Sequence, residues 1–177
     1  MSSLTNKRIL LGVCGSISAY KSPDIIRRLQ DLGAEVRVIL TTSGAKFITE
    51  LSLQSISQNK VHNNLWDKEA ELSMGHIELA KWADLILIAP ASANIIAKIA
   101  NGNASDLLTS VILASKAKLM LAPAMNQQMF NSVAVQENLN RLNSRQINII
   151  NPDSGLQACG DIGLGRLPDS TDIANQV

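Results

Sequence analysis

The sequence predicts an α/β protein: a doubly wound parallel sheet in one domain covering 1–177. Three observations carry this. Five short runs, at 9–13, 36–40, 85–88, 119–122 and 147–150, are almost continuously apolar, as strands covered on both faces are. Amphipathic segments of helical period alternate with them, which is the rhythm of βαβ units with right-handed crossovers. The chain has 177 residues, 46% of them hydrophobic, enough for one packed core.

In chain order, the first run follows Lys7-Arg8 and ends at Cys14-Gly15. Ile25, Ile26, Leu29 and Leu32 then share one helical stripe, while Arg27, Arg28 and Asp31 fall off it. Gly33 suits the end of that helix. Two helical segments, 95–100 and 107–114, separate the third and fourth runs. The second of these is apolar nearly all round, so it is expected to be buried or at a subunit contact. The glycine-rich stretch 151–169 contains two prolines and few core residues. It reads as a long loop, and loops of that length in a compact domain are often lids. No internal repeat or low-complexity segment interrupts this pattern.

Several function classes are disfavoured. With 16 basic and 15 acidic residues the net charge is +1, which leaves no electrostatic footprint for nucleic acid or an anionic membrane. Arg27-Arg28 is the nearest approach to a basic patch and reads as a solvated helix face. The first apolar run is too short for a signal peptide, and no run is long enough to span a bilayer. Cys14 and Cys159 form no CxxC pair, which suits a reducing cytoplasm better than a disulfide framework. Two histidines and no HExxH spacing give no metal-site signature, so no metal is expected.

The polar residues gather where strands end. Open α/β sheets bind ligands at the carboxyl ends of their strands. The fourth run leads into Pro123-Ala124-Met125-Asn126, and an amide there suits a carboxylate or amide group; the same Asn also suits the cap of a helix starting near Gln127. Gly15-Ser16-Ile17-Ser18 follows the first run as a strand–Gly–helix turn, whose backbone N–H groups favour an anion. It matches neither GxGxxG nor GxxxxGK[ST], so a mononucleotide phosphate fits better than a dinucleotide. Thr41-Thr42-Ser43 and Ala89-Pro90-Ala91-Ser92-Ala93-Asn94 are further small, hydroxyl- or amide-bearing strand ends. Any of these serines is readily an N-cap; their coincidence on one sheet edge is the stronger signal. Gly75-His76-Ile77-Glu78-Leu79 offers a group that exchanges protons near neutral pH, whereas His62 reads as a surface residue. Cys159, in Ala158-Cys159-Gly160-Asp161, lies in a polar loop where burial is not the natural role of a thiol, so it is an acid, nucleophile or redox candidate. Cys14 reads as packing.

Taken together, these motifs resemble the homo-oligomeric flavin-containing cysteine decarboxylases. The likeness covers essentially the whole chain. It rests on Gly15-Ser16-Ile17-Ser18-Ala19-Tyr20-Lys21, Gly75-His76-Ile77-Glu78-Leu79, Trp82-Ala83-Asp84, Ala89-Pro90-Ala91-Ser92-Ala93-Asn94, Pro123-Ala124-Met125-Asn126 and Ala158-Cys159-Gly160-Asp161. The resemblance implies a flavodoxin-like (Rossmann-like) fold with FMN as cofactor, bound between subunits of a homotrimer that often packs into a dodecamer. It implies FMN contacts from Gly15, Ser16, Ile17, Thr41, Ser43, Ser92 and Asn94, with Ala124 and Met125 at the ring. Asn126 would hold the substrate carboxylate, with Met125, Ala158 and Cys159 also at the substrate. His76 would be the base and Cys159 the acid, carried on a flap at 151–169. The implied reaction is decarboxylation of the small molecule 4'-phosphopantothenoylcysteine to 4'-phosphopantetheine in coenzyme A biosynthesis. Relatives often continue into a phosphopantothenate–cysteine ligase domain, an implied fused or separate partner. Relatives often carry Ser at the position of Cys14, which leaves an oxidisable thiol near the cofactor. The rival readings are a peptidyl-cysteine decarboxylase, which needs no returning acid, and a non-catalytic FMN-binding regulator.

Overall fold

The structure is a computed structural model and describes residues 4–66 and 75–177. The chain runs β1 (Arg8–Val13), α1 (Ser22–Asp31), β2 (Glu35–Leu40), α2 (Glu50–Ser57), β3 (Val61–His62), α3 (Gly75–Trp82) and β4 (Leu85–Ala91). It continues α4 (Ala93–Ala100), α5 (Leu107–Ala114), β5 (Lys118–Pro123), α6 (Gln127–Asn131), α7 (Val133–Ser144), β6 (Asn148–Ile149), β7 (Asp153–Leu156), β8 (Ile162–Arg166) and α8 (Ser170–Gln176). Six strands form one sheet in the order β3-β2-β1-β4-β5-β6, with every neighbour pair parallel. The doubly wound expectation holds, and of the two common orders the sheet follows the Rossmann one rather than flavodoxin's 2-1-3-4-5.

Alternation along β1 divides the core. Ile9, Leu11 and Val13 face a layer that includes Ile25, Ile26 and Leu29 of α1, Leu53 of α2 and Ile173 of α8. Leu10 and Cys14 face the opposite layer, with Leu79 of α3, Ile95, Ile96 and Ile99 of α4, Leu108 of α5 and Leu139 of α7. Helices on both faces explain the unbroken apolar runs. The sheet order reverses between β1 and β4, so the loops after these two strands diverge and open a crevice there.

Four details depart from the sequence reading or resolve it. β3 has only two residues, and Val61 alone of them is buried. β4 and β5 extend to Ala91 and Pro123, so Ala89-Pro90-Ala91 is buried strand rather than loop. In α5, Leu107, Leu108, Thr109 and Val111 are buried while Leu113 is 56% exposed; most of its apolar surface is core, and Leu113 and Ala114 at its end are exposed. The stretch expected as a long loop folds largely into the antiparallel hairpin β7–β8, with Gly155 opposite Gly163 and Leu156 opposite Ile162. Among the described residues, no helix is long and apolar enough to cross a membrane.

Candidate functional site

The ends of β1, β2, β4 and β5 and the hairpin converge on two adjoining hollows. One cavity of about 440 Å³ is lined by Gly15, Ser16, Ile17, Ala124, Met125, Asn126, Ala158 and Cys159. A second of about 550 Å³ takes in Thr41, Ser43 and Asn94. They share Gly15, Ser92, Ala93 and Met129. Both volumes lie within the range of small-molecule sites. Twelve of the thirteen residues singled out from the sequence thus border one hollow or the other. His76 borders neither: it is half-buried at the start of α3.

Most of the polar strand-end residues also hold local structure. Ser16 caps a 3-10 turn over Ile17–Lys21, its Oγ accepting from Ser18 N at 3.4 Å and lying 2.9 Å from Ser18 Oγ. Ser92 caps α4, accepting from Ile95 N at 3.4 Å. Thr41 Oγ1 donates to Val13 O at 3.2 Å and accepts from Gly44 N at 3.1 Å, tying β2's end to β1's. A serine hydroxyl that accepts from a backbone N–H still has its own proton to donate. The two hollows therefore offer uncharged donors beside an apolar wall of Ile17, Ala124 and Met125. That donor set and shape fit a flat ring carrying a ribityl chain and a phosphate, and FMN is such a group.

Asn126 is both a cap and a ligand candidate. Its Oδ1 accepts from Gln128 N at 2.8 Å, capping α6. The backbone donor fixes the amide's orientation, so Nδ2 is the end turned to the hairpin. It lies 3.3 Å from Gln157 Oε1 and 3.3 Å from Cys159 Sγ. Gln157 is oriented in the same way: Oε1 accepts from Gln127 N at 3.0 Å and Nε2 donates to Leu164 O at 3.1 Å. Nε2 also reaches Met125 O at 3.5 Å. Cys159 is exposed, with Sγ 3.4 Å from Asp161 Oδ2.

The hairpin's close approach depends on two glycines of β8. Gly165 has φ +125° and receives Met125 N on its carbonyl at 2.9 Å; a Cβ there would overlap the Met125 carbonyl oxygen. A Cβ on Gly163 would overlap the Gln127 side chain. Alternate glycines in Ile162-Gly163-Leu164-Gly165 are the sequence signal of such backbone proximity.

Charge separates the hollows. The first includes Lys21 and Arg166 and no carboxylate. Lys21 Nζ donates to the carbonyls of Leu167 at 3.0 Å and Pro168 at 3.3 Å. In the second, Lys98 Nζ sits 2.7 Å from Asp106 Oδ2, and Asp106 caps α5. Burial pushes the Asp106 carboxyl up, but bonds from Lys98 and Thr109 outweigh it and hold the group below the usual range. Cys14 borders this hollow at 2% exposure, and burial raises its thiol to about 12. The thiolate that oxidants attack is therefore suppressed, contrary to the expectation of an oxidisable group. Lys21, Gln157 and Arg166 carry no role in the sequence reading: no charge cluster or nucleophile marks them, and only the fold brings them together.

The Flavoprotein family model matches residues 1–177. The chain is 53% identical over 173 residues to the coenzyme A biosynthesis bifunctional protein CoaBC of Escherichia coli strain K12, covering 98% of this chain and 43% of that protein. It thus spans less than half the length of this relative. Among solved structures it is similar to a Cys-to-Ser mutant of PPC decarboxylase complexed with pantothenoylaminoethenethiol. The TM-score is 0.86 at 34% identity, over 96% of this chain and 95% of the other. It is also similar to the FMN-binding protein AtHal3, with TM-score 0.82, 35% identity and coverage of 96% and 94%.

Proposed function

Because the chain belongs to the Flavoprotein family, we propose that it binds FMN across the two hollows and decarboxylates 4'-phosphopantothenoylcysteine to 4'-phosphopantetheine in coenzyme A biosynthesis. The observation that carries this reading is the makeup of the first cavity. Asn126 and Cys159 meet there at 3.3 Å; Lys21 and Arg166 line the cavity with no carboxylate, and Asp161 Oδ2 stands 3.4 Å from Cys159 Sγ. A substrate with a carboxylate at one end and a phosphate at the other matches that lining. The similarity to PPC decarboxylase supports the same substrate.

When bound, FMN supplies the reversible two-electron oxidation of the substrate's CH2–SH that makes loss of its CO2 feasible. Gly15, Ser16, Ile17, Thr41, Ser43, Ser92 and Asn94 hold it, with Ala124 and Met125 against its ring. Asn126 Nδ2 donates to the substrate carboxylate and fixes its direction. Lys21 and Arg166 attract the phosphate. Met125, Ala158 and the hairpin, as the flap 151–169, exclude water from the reacting carbon. Cys159 Sγ–H delivers the proton that completes the aminoethanethiol product, which a peptidyl-cysteine decarboxylase does not need. His76 takes the proton of the substrate thiol.

His76 borders neither hollow of its own chain, so a second copy supplies it. The protein works as a homotrimer, or as a dodecamer into which trimers pack, with each site completed by a neighbour. Exposed Ile17, Tyr20, Leu156 and Ile162 on the site side support such a contact. The partner activity is a phosphopantothenate–cysteine ligase, fused or separate, and the compartment is the cytoplasm.

The deciding experiment is on purified protein. It should show a flavin absorbance band, release FMN on denaturation, and liberate CO2 from 4'-phosphopantothenoylcysteine. Colourless protein that does not reconstitute with FMN, or flavoprotein that liberates no CO2, would reject the reading.

A further inference from the structure

We infer that Gln157 is a positioning residue that makes Asn126 a shared docking point, occupied by the hairpin and by the substrate carboxylate in turn. The inference rests on the function proposed above. Its basis is the geometry of two amides whose orientations backbone partners fix. Asn126 Oδ1 is committed to Gln128 N at 2.8 Å, which leaves only the two Nδ2 protons for other partners. Both have hairpin acceptors: Gln157 Oε1 at 3.3 Å and Cys159 Sγ at 3.3 Å. A substrate carboxylate therefore cannot take an Nδ2 proton without displacing one of them.

Gln157 is the stronger holder. Its Oε1 accepts from Gln127 N at 3.0 Å as well as from Asn126, and its Nε2 donates to Leu164 O at 3.1 Å and reaches Met125 O at 3.5 Å. One side chain thus latches the hairpin turn to the loop after β5. Cys159, two residues on and with Sγ 3.9 Å from Gln157 Oε1, is carried with it. The exchange orders the chemistry. While the carboxylate occupies Asn126, the latch is displaced and the thiol is held off. Once CO2 has left, Asn126 Nδ2 is free, Gln157 returns, and Cys159 Sγ arrives where its proton is needed. An acid that arrived earlier would compete with the carboxylate for the same donor.

Two substitutions act in opposite directions. Gln157→Ala removes the competitor and the latch. Gln157→Glu keeps an oxygen for Gln127 N and sets a negative charge opposite Asn126 Nδ2, which strengthens that contact while giving up the Nε2 bonds to Leu164 O and Met125 O. With FMN-loaded enzyme and 4'-phosphopantothenoylcysteine, KM should rise in the order Ala, wild type, Glu, with about a tenfold change at the Glu step, the factor that one hydrogen bond of ordinary strength carries. Gln157→Ala should also raise the ratio of product two hydrogens lighter to saturated product by about tenfold, each lighter product leaving one FMN reduced because its two electrons are not returned. A purely structural role would instead raise KM or cut turnover in both variants and leave the product ratio alone. Amide exchange at Gln127, measured without substrate or flavin, should speed up in Gln157→Ala and not in Gln157→Glu. Wild-type protein that liberates no CO2 would reject the underlying function. Wild-type turnover without the KM order, or with an unchanged product ratio, would overturn the exchange alone, as would unchanged Gln127 exchange in Gln157→Ala.

Discussion

Asn126 allows stability and chemistry to be separated by one atom. Asn126→Asp keeps Oδ1 and with it the 2.8 Å bond from Gln128 N that caps α6. A carboxylate is at least as good a cap as an amide and gains from the helix N-terminus, which also keeps it ionised. The melting temperature should fall less than in Asn126→Ala, since the cap survives while the Nδ2 bonds to Gln157 Oε1 and Cys159 Sγ are lost in both. The chemistry should not survive. Nδ2 is lost, and a charge-assisted hydrogen bond is worth about 1.5–3 kcal/mol. A negative oxygen then faces the substrate carboxylate, which costs on the order of several kcal/mol more. Together these amount to roughly 4 kcal/mol, or about a thousandfold in kcat/KM. Asn126→Ala removes the cap, worth about 1 kcal/mol, and should lower the melting temperature by about 2–4 °C. It removes the donor without adding charge, so kcat/KM should fall only about 10–100-fold. The assays are thermal unfolding and CO2 release from 4'-phosphopantothenoylcysteine. If Asn126→Asp kept kcat/KM within about threefold of wild type, the amide would not bind the carboxylate; the predicted loss is several hundred times larger.

Four further outcomes test other parts of the structure. Cys159→Ser should release CO2 once per FMN, leaving the flavin reduced and a product two hydrogens lighter than 4'-phosphopantetheine by mass spectrometry, because a hydroxyl is a far weaker acid than a thiol; normal saturated product would assign the proton to another group. His76→Asn and Asn126→Asp should each be inactive alone and regain turnover when mixed and reassembled, because some sites would then combine the wild-type residue of each chain; no recovery would argue against a site between copies. Iodoacetamide at neutral pH should alkylate exposed Cys159 and spare Cys14, whose thiol burial raises to about 12; equal labelling read by peptide mass would contradict that burial. Asp84, bonded by the Arg8 side chain and by Arg8 N at 2.9 Å, has its carboxyl lowered to about 2. Its contribution is complete above the ordinary carboxylate value and is lost as pH falls through about 2. The pair is well exposed, so screening limits that contribution to about 1 kcal/mol. Asp84→Asn should therefore match the wild-type unfolding free energy near pH 2 and fall below it at neutral pH.

What the sequence discloses follows burial and charge. β1, β2, β4 and β5 are legible because both faces are covered and their interior residues are almost all apolar, the charged Arg8, Glu35, Arg37 and Lys118 falling at or near their first residues. β3 escapes notice because two residues carry no period, and β7–β8 because Ser154, Leu156, Ile162 and Leu164 are exposed and have no buried face to alternate with. The alternate glycines of β8 were the available clue. In the site, Asn126, Cys159 and His76 stand out through residue type and motif. Gln157 does not, since a glutamine in a polar turn is unremarkable until its four partners are seen to join two separate segments of chain, 125–127 and Leu164. Neither does the pairing of Lys21 with Arg166, which lie far apart in sequence and meet only because the hairpin folds back over the end of β1.

At sequence level, capping and ligand binding are rival explanations for a polar residue between strand and helix. In this fold they are compatible, for a stereochemical reason. A cap uses an oxygen lone pair on the side of the residue facing the helix. Ser16 and Ser92 retain a hydroxyl proton beyond that bond, and Asn126 retains a whole NH2 group, each bordering the first cavity. The cap limits the rotation of each side chain, so the remaining donor is aimed before any ligand arrives and little rotamer entropy is lost on binding. The same coupling means that truncation to alanine at these positions mixes two effects. Only substitutions that preserve the capping oxygen while changing the other end, as Asn126→Asp does, report the site by itself.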